Sequence, residues 1–468
     1  MSRKAIPDRP LTWVLLLVAC LAAWIDGSRL HDAQNADSLL PVLVSIQHWT
    51  VFFWGEDRFG MLVPLLALPF HNPFVNLLVQ GWLTIAAALL ASFLVSLYLD
   101  GDGPWVANGA LADACLLLVV STGLRFDWLI TQPYAVSITL ALASLLLIER
   151  SHGHRGVLGV ALVLMLLAHW VNLGVCLAIV PLAVVRVRSM LAHVSMVAAG
   201  AAGGALIKAL SEAPSTTTGI LPIAEWPHGW LQLARTASMD IAHPAVLGAI
   251  AALALCGAVS AAMSARPAAS LRVAAMALLA GVAYWLVVGA LEHVQRNDYY
   301  PRYVLPSLLL FGVAATRLVI VSDRRSRLTA FLTSATLAAG AISAYGAPSL
   351  HQVRKNMDRT IGAMTPAIID VGATVVTGDY WTVWPAVFHA NVVRYEKTGR
   401  GGIYALTYRS DPTNPLWMRR ADTDPVVLVA PRFDKEAPVY IDRAGVPITF
   451  RMNRGELLVY LAGGGKKE

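Results

Sequence analysis

The sequence predicts an α-helical polytopic membrane protein of about eleven transmembrane helices with a small C-terminal mixed α/β domain outside the membrane. Three observations carry this. Of the 468 residues, 57% are hydrophobic and only 14% charged, with a mean hydropathy of +0.60, whereas a soluble domain carries roughly a quarter charged residues. The apolar residues fall in long runs nearly free of Lys, Arg, Asp and Glu, and about 20 such residues cross a bilayer core. Beyond residue 347 the chain changes character, with charged residues, short β-rich runs and Gly/Pro/Asp turns. A soluble enzyme, a disordered scaffold and a disulfide framework are excluded. Cys20, Cys115, Cys176 and Cys256 lie far apart inside apolar runs and read as small buried hydrophobes. A net charge of +7 is too modest for a nucleic-acid partner and fits membrane topology instead.

The predicted spans lie near 11–26, 74–98, 105–122, 131–148, 156–169, 171–185, 190–209, 243–264, 272–291, 303–321 and 328–346. With the N terminus inside, the short inner segments carry Arg3, Lys4 and Arg9, then Arg150/Arg155, Arg186/Arg188, Arg266/Arg272 and Arg317/Arg324/Arg325/Arg327. That asymmetry satisfies the positive-inside rule. The inner loop Asp100-Gly-Asp-Gly has no basic residue. Leu17-Val-Ala-Cys20 looks like a lipoprotein cleavage box, but apolar character continues to Ile25, so a retained first helix is expected. The resulting division is a membrane domain over 1–346, with a first outer loop over 27–73, and an outer mixed α/β domain over 347–468. In the latter, Ala373-Thr-Val-Val-Thr and Pro425-Val-Val-Leu-Val-Ala read as strands.

The first outer loop is the most informative segment. It runs His31-Asp32, then Asp37-Ser-Leu-Leu-Pro41, His48-Trp49 and Trp54-Gly-Glu56-Asp57-Arg58-Phe-Gly60. Leu39, Leu40, Leu43, Val44, Ile46 and Trp49 fall broadly on one helical face, which predicts an amphipathic helix lying on the membrane surface. Asp37 is expected at its N-cap. The plainer reading is that Asp37 only caps the helix; the functional one is a carboxylate that deprotonates a substrate hydroxyl. Asp32, Glu56 and Asp57 crowd the same loop, and acidic groups at a membrane boundary are costly unless used. Before the tenth span, Arg302-Tyr303-Val-Leu-Pro306 offers an Arg fork suited to a lipid phosphate, or merely an aromatic belt with a snorkelling Arg.

These motifs resemble the GT-C glycosyltransferases: an acidic residue after the first helix, a surface helix, a Trp, then a basic residue and a Pro opening the next span. Within them the chain is most similar to the aminoarabinose transferase and protein O-mannosyltransferase branch, whose late Arg-Tyr-x-x-Pro element Arg302–Pro306 resembles. The resemblance implies a catalytic aspartate, matched by Asp37, with Asp32 and Glu56 as alternates. It also implies a polyprenyl-phosphate sugar donor, with Arg58, Arg302 and Tyr303 for its phosphate. The chain departs from the pattern at Asp37-Ser38, where the family often has Asp-Glu, and at Arg58-Phe-Gly60, where Lys-Pro-Pro is common.

The expected activity is an inverting glycosyl transfer to a glycan, lipid or protein acceptor at the periplasmic face of a bacterial inner membrane. The competing classes are a transporter or flippase of a lipid-linked glycan, and a polymerase or ligase using a diphosphate-linked donor. Other candidate residues are His48, Trp49, Asp57, His169 and Asn172 as cavity lining, the last two equally readable as a tight turn. Asp113 is either a proton-relay carboxylate or a group bonded to a neighbouring helix. Gly378-Asp379-Tyr380-Trp381, with Trp384, is either a sugar-stacking surface or core. No cofactor motif is present; the Asp/Glu cluster could hold a divalent cation, yet no spacing fixes one and no metal is predicted.

Overall fold

The computed structural model describes residues 34–57, 59–101, 104–151, 153–186, 189–211, 219–241, 268–319, 349–422, 426–445 and 447–463, with isolated positions between. Its principal elements are α1 (Ala36–Ile46), α2 (Pro73–Asp100), α3 (Trp105–Val119), α4 (Tyr134–Arg150), α5 (Arg155–Val171), α6 (Val175–Val185), α7 (Met190–Ala209), α8 (Trp226–Met239), α9 (Ala268–Gly289) and α10 (Leu305–Val319). Then follow α11 (Leu350–Ile361), β1 (Val375–Thr377), α12 (Tyr380–Thr398), β2 (Tyr404–Leu406), α13 (Asn414–Ala421), β3 (Val426–Pro431), α14 (Ala437–Ala444), β4 (Ile448–Arg454) and β5 (Leu457–Ala462). The chain forms two compact units. One comprises 1–27, 84–210 and 216–348; the other comprises 28–83, 211–215 and 349–468.

In the first unit, helices stand where apolar runs predicted spans from α3 to α7 and at α9 and α10. Among the described residues four helices are long and apolar enough to cross a membrane: α2, α7, the stretch Ser270–Gly289 and the stretch Pro301–Val319. A fifth is reached if Thr122–Thr131 and Tyr134–Arg150, bent by 55°, count as one broken span. The fold is therefore that of a multi-pass membrane protein, but the count of eleven exceeds what these helices supply. The helices α3, α5 and α6 are apolar but short. The expected spans at 11–26 and 328–346, and most of 243–264, lie outside the described residues. The Asp100-Gly-Asp-Gly loop, which has no basic residue of its own, finds a counter-charge elsewhere. Arg317 Nη2 of α10 donates to Asp100 Oδ1 at the end of α2 at 3.1 Å, and the two side chains, both buried, form an ion pair with Nε 3.0 Å from Oδ2.

The second unit joins the first outer loop to the tail. A five-stranded sheet runs in the order β2-β1-β3-β5-β4. β1 pairs parallel with β2 and β3, and β3, β5 and β4 pair antiparallel. A parallel pair needs a crossover, and α12 supplies it between β1 and β2. α12 is buried from Val383 to Val392, and α1 packs against it. One core contains Leu39, Leu40, Leu43, Trp54, Trp384 and Phe388; the rings of Trp54 and Trp384 lie 5.7 Å apart.

This packing corrects the expectation for α1. It is not a surface helix with one apolar face: Leu39, Leu40, Val42, Leu43 and Val44 are all fully buried. An apolar run that surrounds a helix belongs in a core. Polar side chains fasten the segment that follows. Asn76 Nδ2 donates to Ser45 Oγ and to the Ala67 and Phe70 carbonyls, each at 2.9 Å. Gln47 Nε2 donates to the Ile403 carbonyl at 2.8 Å.

Candidate functional site

The cap of α1 is not Asp37 but Asn35. Asn35 Oδ1 accepts the Ser38 N–H at 3.1 Å, and Ser38 Oγ accepts the Asn35 N–H at 3.0 Å. This reciprocal pair satisfies the helix N-terminus, so Asp37, in the first turn, is not used as the cap. Its carboxylate turns to the tail. Tyr380 Oη, from the first turn of α12, donates to Asp37 Oδ1 at 2.6 Å. Arg409 Nη1 lies 4.0 Å from the same oxygen. Asp37 Oδ2 takes no hydrogen bond from the described residues.

Arg409 is the centre of this cluster. Its Nη2 donates to Glu56 Oε1, and the two side chains are 13% and 6% exposed. The guanidinium lies over three rings, those of Phe53 at 5.0 Å, Tyr408 at 5.2 Å and Tyr380 at 5.3 Å, the arrangement that attracts a cation to ring quadrupoles. The backbone of Arg409 is left-handed, with φ of 73°, a conformation that costs a non-glycine residue roughly 1–2 kcal/mol. The loop accommodates it with Gly55, itself at φ of 75°; a Cβ there would stand 2.8 Å from Arg409 Cγ. Burial, and next the Asp37 carboxylate, push the Tyr380 phenol well above its ordinary value, against the opposing pull of Arg409. Tyr380 thus stays a hydrogen-bond donor. A neutral donor and a cation therefore meet at Asp37, which is 28% exposed, while Glu56 holds the cation through its other terminal nitrogen.

Two further features fix this arrangement. Asp379 caps α12, accepting the Thr382 N–H at 2.9 Å, and its own N–H donates to Asp434 Oδ2 at 2.6 Å. Gly378 permits the approach. Its φ is 141°, and a Cβ would collide with the Asp434 carboxylate.

Of the other predicted residues in this unit, Glu56 and Asp57 are buried. Trp49 Nε1 donates to the Met61 carbonyl at 3.1 Å, and the exposed His48 offers its carbonyl to Trp54 Nε1 at 3.1 Å. These two therefore shape the loop around the cluster. Asp32 and Arg58 lie outside the described residues.

Arg302, Tyr303, His169 and Asn172 belong to the first unit. Arg302 sits on the turn Pro301–Val304 that leads into α10. Its Nη2 donates to Tyr303 Oη at 3.2 Å, and that hydroxyl lies 3.1 Å from His293 Nε2. The guanidinium covers the rings of Tyr303 at 5.1 Å and Tyr300 at 5.5 Å. Its Nε–H is buried without a partner among the described residues. Burial, with the Asp127 and Asp240 carboxylates next, pushes the Tyr300 phenol up to about 12. Asn172 caps the end of α5 and accepts the Gly174 N–H at 2.9 Å. His169 contacts the Met165 carbonyl at 2.9 Å and abuts Gly200 and Gly204 of α7. Both are placed by turn and helix packing. Asp113 is buried in α3 and accepts from Ser92 Oγ of α2, the second of its two expected roles. Among the described residues no group of three or more His, Cys, Asp or Glu could hold a metal ion.

The fold of this chain is similar to that of a solved membrane protein. The comparison is with ArnT from Cupriavidus metallidurans, whose crystal structure holds undecaprenyl phosphate. The two share a TM-score of 0.50 at 11% identity, over 96% of this chain and 97% of that one. The GT-C resemblance read from the sequence thus holds at the level of fold. No protein-family model matches the sequence, and no curated protein matches it.

Proposed function

We propose that the protein is a glycosyltransferase that moves a sugar from a polyprenyl-phosphate donor to an acceptor hydroxyl at the periplasmic face of a bacterial inner membrane. In this reading the N terminus is cytoplasmic and residues 347–468 form a domain on the outer side. The observation that carries it is the Asp37 carboxylate, relieved of capping by Asn35 and held on one oxygen by Tyr380 with Arg409 beside it. The fold shared with a protein crystallised on undecaprenyl phosphate supports the donor class.

The chemistry follows from these side chains. With Oδ1 engaged by Tyr380, Oδ2 is the oxygen left to accept a proton from the acceptor hydroxyl. As that proton transfers, the acceptor oxygen bonds to the anomeric carbon and the carbon–phosphate-oxygen bond breaks on the opposite side, so configuration inverts. The leaving group is the polyprenyl phosphate. Separately, in the first unit, Arg302 is the proposed contact for a lipid phosphate, through an Nε–H that has no partner among the described residues and a guanidinium whose charge would offset that of the phosphate. Tyr303 holds that guanidinium in place. Arg58 is the second candidate for the phosphate and Asp32 the alternate base.

The test is release of labelled sugar from polyprenyl-phosphate donors in native lipid extract, by protein in nanodiscs. Asp37→Asn is expected to lower turnover by about 10²–10⁴-fold, the usual share of a general base, with its melting temperature near wild type. Turnover unchanged in Asp37→Asn would move the base elsewhere. Wild-type protein that is folded yet releases sugar from no such donor would sink the transferase reading.

A further inference from the structure

Beside Asp37 the tail presents aromatic rings that its own core does not use. Tyr380 is 7% exposed, but the two rings set against it are open: Trp381 is 56% exposed and Tyr408 is 53% exposed. Trp381 meets Tyr380 edge-on, with centroids 5.0 Å apart, and Tyr408 does so at 6.1 Å. Tyr380 in turn carries the hydroxyl that binds Asp37. An exposed Trp and an exposed Tyr thus lie against the phenol that hydrogen-bonds the carboxylate. Trp381 lies in the first turn of α12, ahead of its buried stretch Val383–Val392, and Tyr408 carries the Arg409 guanidinium over its ring at 5.2 Å.

We infer that Trp381 and Tyr408 form a stacking platform for a saccharide ring, so that the acceptor of the proposed transferase is a carbohydrate, free or as part of a glycoconjugate. A pyranose has apolar C–H faces and a polar rim of hydroxyls. Aromatic rings take such faces, and their amphipathic tips tolerate the wet edge. The rim needs acceptors and donors within reach, and here Tyr380, against which both rings lie, holds Asp37, while Arg409 lies over the Tyr408 ring. An acyl chain would gain from the rings but would cover Asp37 and Arg409 with hydrocarbon, leaving charged groups without water or partners. A membrane-interface belt would scatter aromatic residues around a perimeter, whereas these gather on the phenol that holds Asp37. The inference rests on the glycosyltransferase reading for its biological meaning, but the binding it asserts is measurable separately.

The experiment is saturation-transfer NMR on the full chain in nanodiscs, with a panel of methyl hexopyranosides and short oligosaccharides as probes. At least one probe is expected to receive saturation at its ring C–H protons. Its apparent Kd should rise tenfold or more in Trp381→Ala and in Tyr408→Ala, and recover within about threefold in Trp381→Phe. Trp381 is exposed, so circular dichroism and melting of Trp381→Ala should match wild type, whereas Tyr408 also carries Arg409 and its variant is read against its own melting temperature; recovery in Trp381→Phe separates ring stacking from any loss of folding. Equal binding by wild type and both Ala variants, or no binding of any saccharide to wild type, would overturn the platform. Saccharide binding unchanged while vesicle association falls would overturn it too, in favour of a membrane contact. Donor turnover, read in parallel on the same preparation, decides the transferase reading by itself: cleavage without saccharide binding refutes only the platform, and saccharide binding without cleavage refutes only the transferase.

Discussion

Arg409 ties the tail to the loop through one buried ion pair, and its removal should be costly in a way that identifies the pair. Arg409 and Glu56 are 13% and 6% exposed, so deleting the guanidinium leaves a carboxylate in a largely water-free site. Breaking one side of such a pair costs about 3–5 kcal/mol. Arg409→Met and Glu56→Gln should each destabilise the unit by about that amount, while the double variant should cost less than either sum predicts. A coupling of about 2 kcal/mol or more is expected for groups in direct contact. Backbone strain adds a second signature. Because φ at Arg409 is 73°, Arg409→Gly should be about 1 kcal/mol less destabilising than Arg409→Ala, which keeps a Cβ in the left-handed region. The assay is denaturant unfolding in detergent followed by tryptophan fluorescence, since Trp54 and Trp384 share the core. A coupling below about 0.5 kcal/mol, the level of independent sites, would refute the claim that the pair joins loop and tail.

Three other outcomes follow from the same geometry. Tyr380→Phe removes the donor to Asp37 Oδ1 but keeps the ring, so sugar release should fall about tenfold, equivalent to one hydrogen bond to a charged group, with melting little changed; rates equal to wild type would show that Tyr380 does not orient the base. Gly378→Ala places a methyl against the Asp434 carboxylate at a φ of 141°, and should lower the stability of the unit by more than about 1 kcal/mol, read as the denaturant midpoint. His389 is buried, with Thr365 Oγ1 2.8 Å from Nδ1 and Asp358 Oδ1 2.7 Å from Nε2. Burial lowers its proton affinity below the usual 6.5 despite the opposing Asp358. The folded form therefore binds fewer protons than the unfolded one, so the stability it contributes is complete above pH 6.5 and is lost as pH falls below that value towards the folded pKa. His389→Gln should flatten this slope, and an unchanged slope would assign it to other groups.

The membrane part was legible because bilayer-length apolar runs are a local property of composition, and α7, α9 and α10 arise where such runs stand. β1 and β3 were legible for the same reason, as short β-branched runs between turns. The misreadings have physical causes. Two Asx residues, Asn35 and Asp37, stand at the start of α1, and only the reciprocal partner Ser38, three residues after Asn35, shows which of them is the cap. The run Leu39-Leu40-Pro41-Val42-Leu43-Val44 has no polar face, so treating it as amphipathic left out Val42, which is fully buried with its neighbours. Arg409 was invisible. It lies 353 residues from Glu56 and its left-handed backbone carries none of the Gly or Asn signals of that conformation. Tyr380 was noticed for its ring, but its hydroxyl bond to a residue 343 positions away depends on tertiary packing that no local pattern encodes.

That long-range dependence decides what the tail is for. α1 contributes Leu39, Leu40, Val42, Leu43 and Val44 to a core whose other wall is α12, and burying such side chains is worth about 1.5–3 kcal/mol each. A loop segment on its own has no comparable way to cover them. The helix that carries Asp37 is therefore ordered by the tail, and the same tail supplies the phenol and guanidinium that meet the carboxylate. A carboxylate on an independent loop would owe its orientation to local backbone alone; this one is set by a sheet-backed helix through Tyr380 and locked through Arg409 to Glu56. Substitutions deep in α12, such as Trp384→Ala, should thus disturb Asp37 without touching it, through the packing of α1.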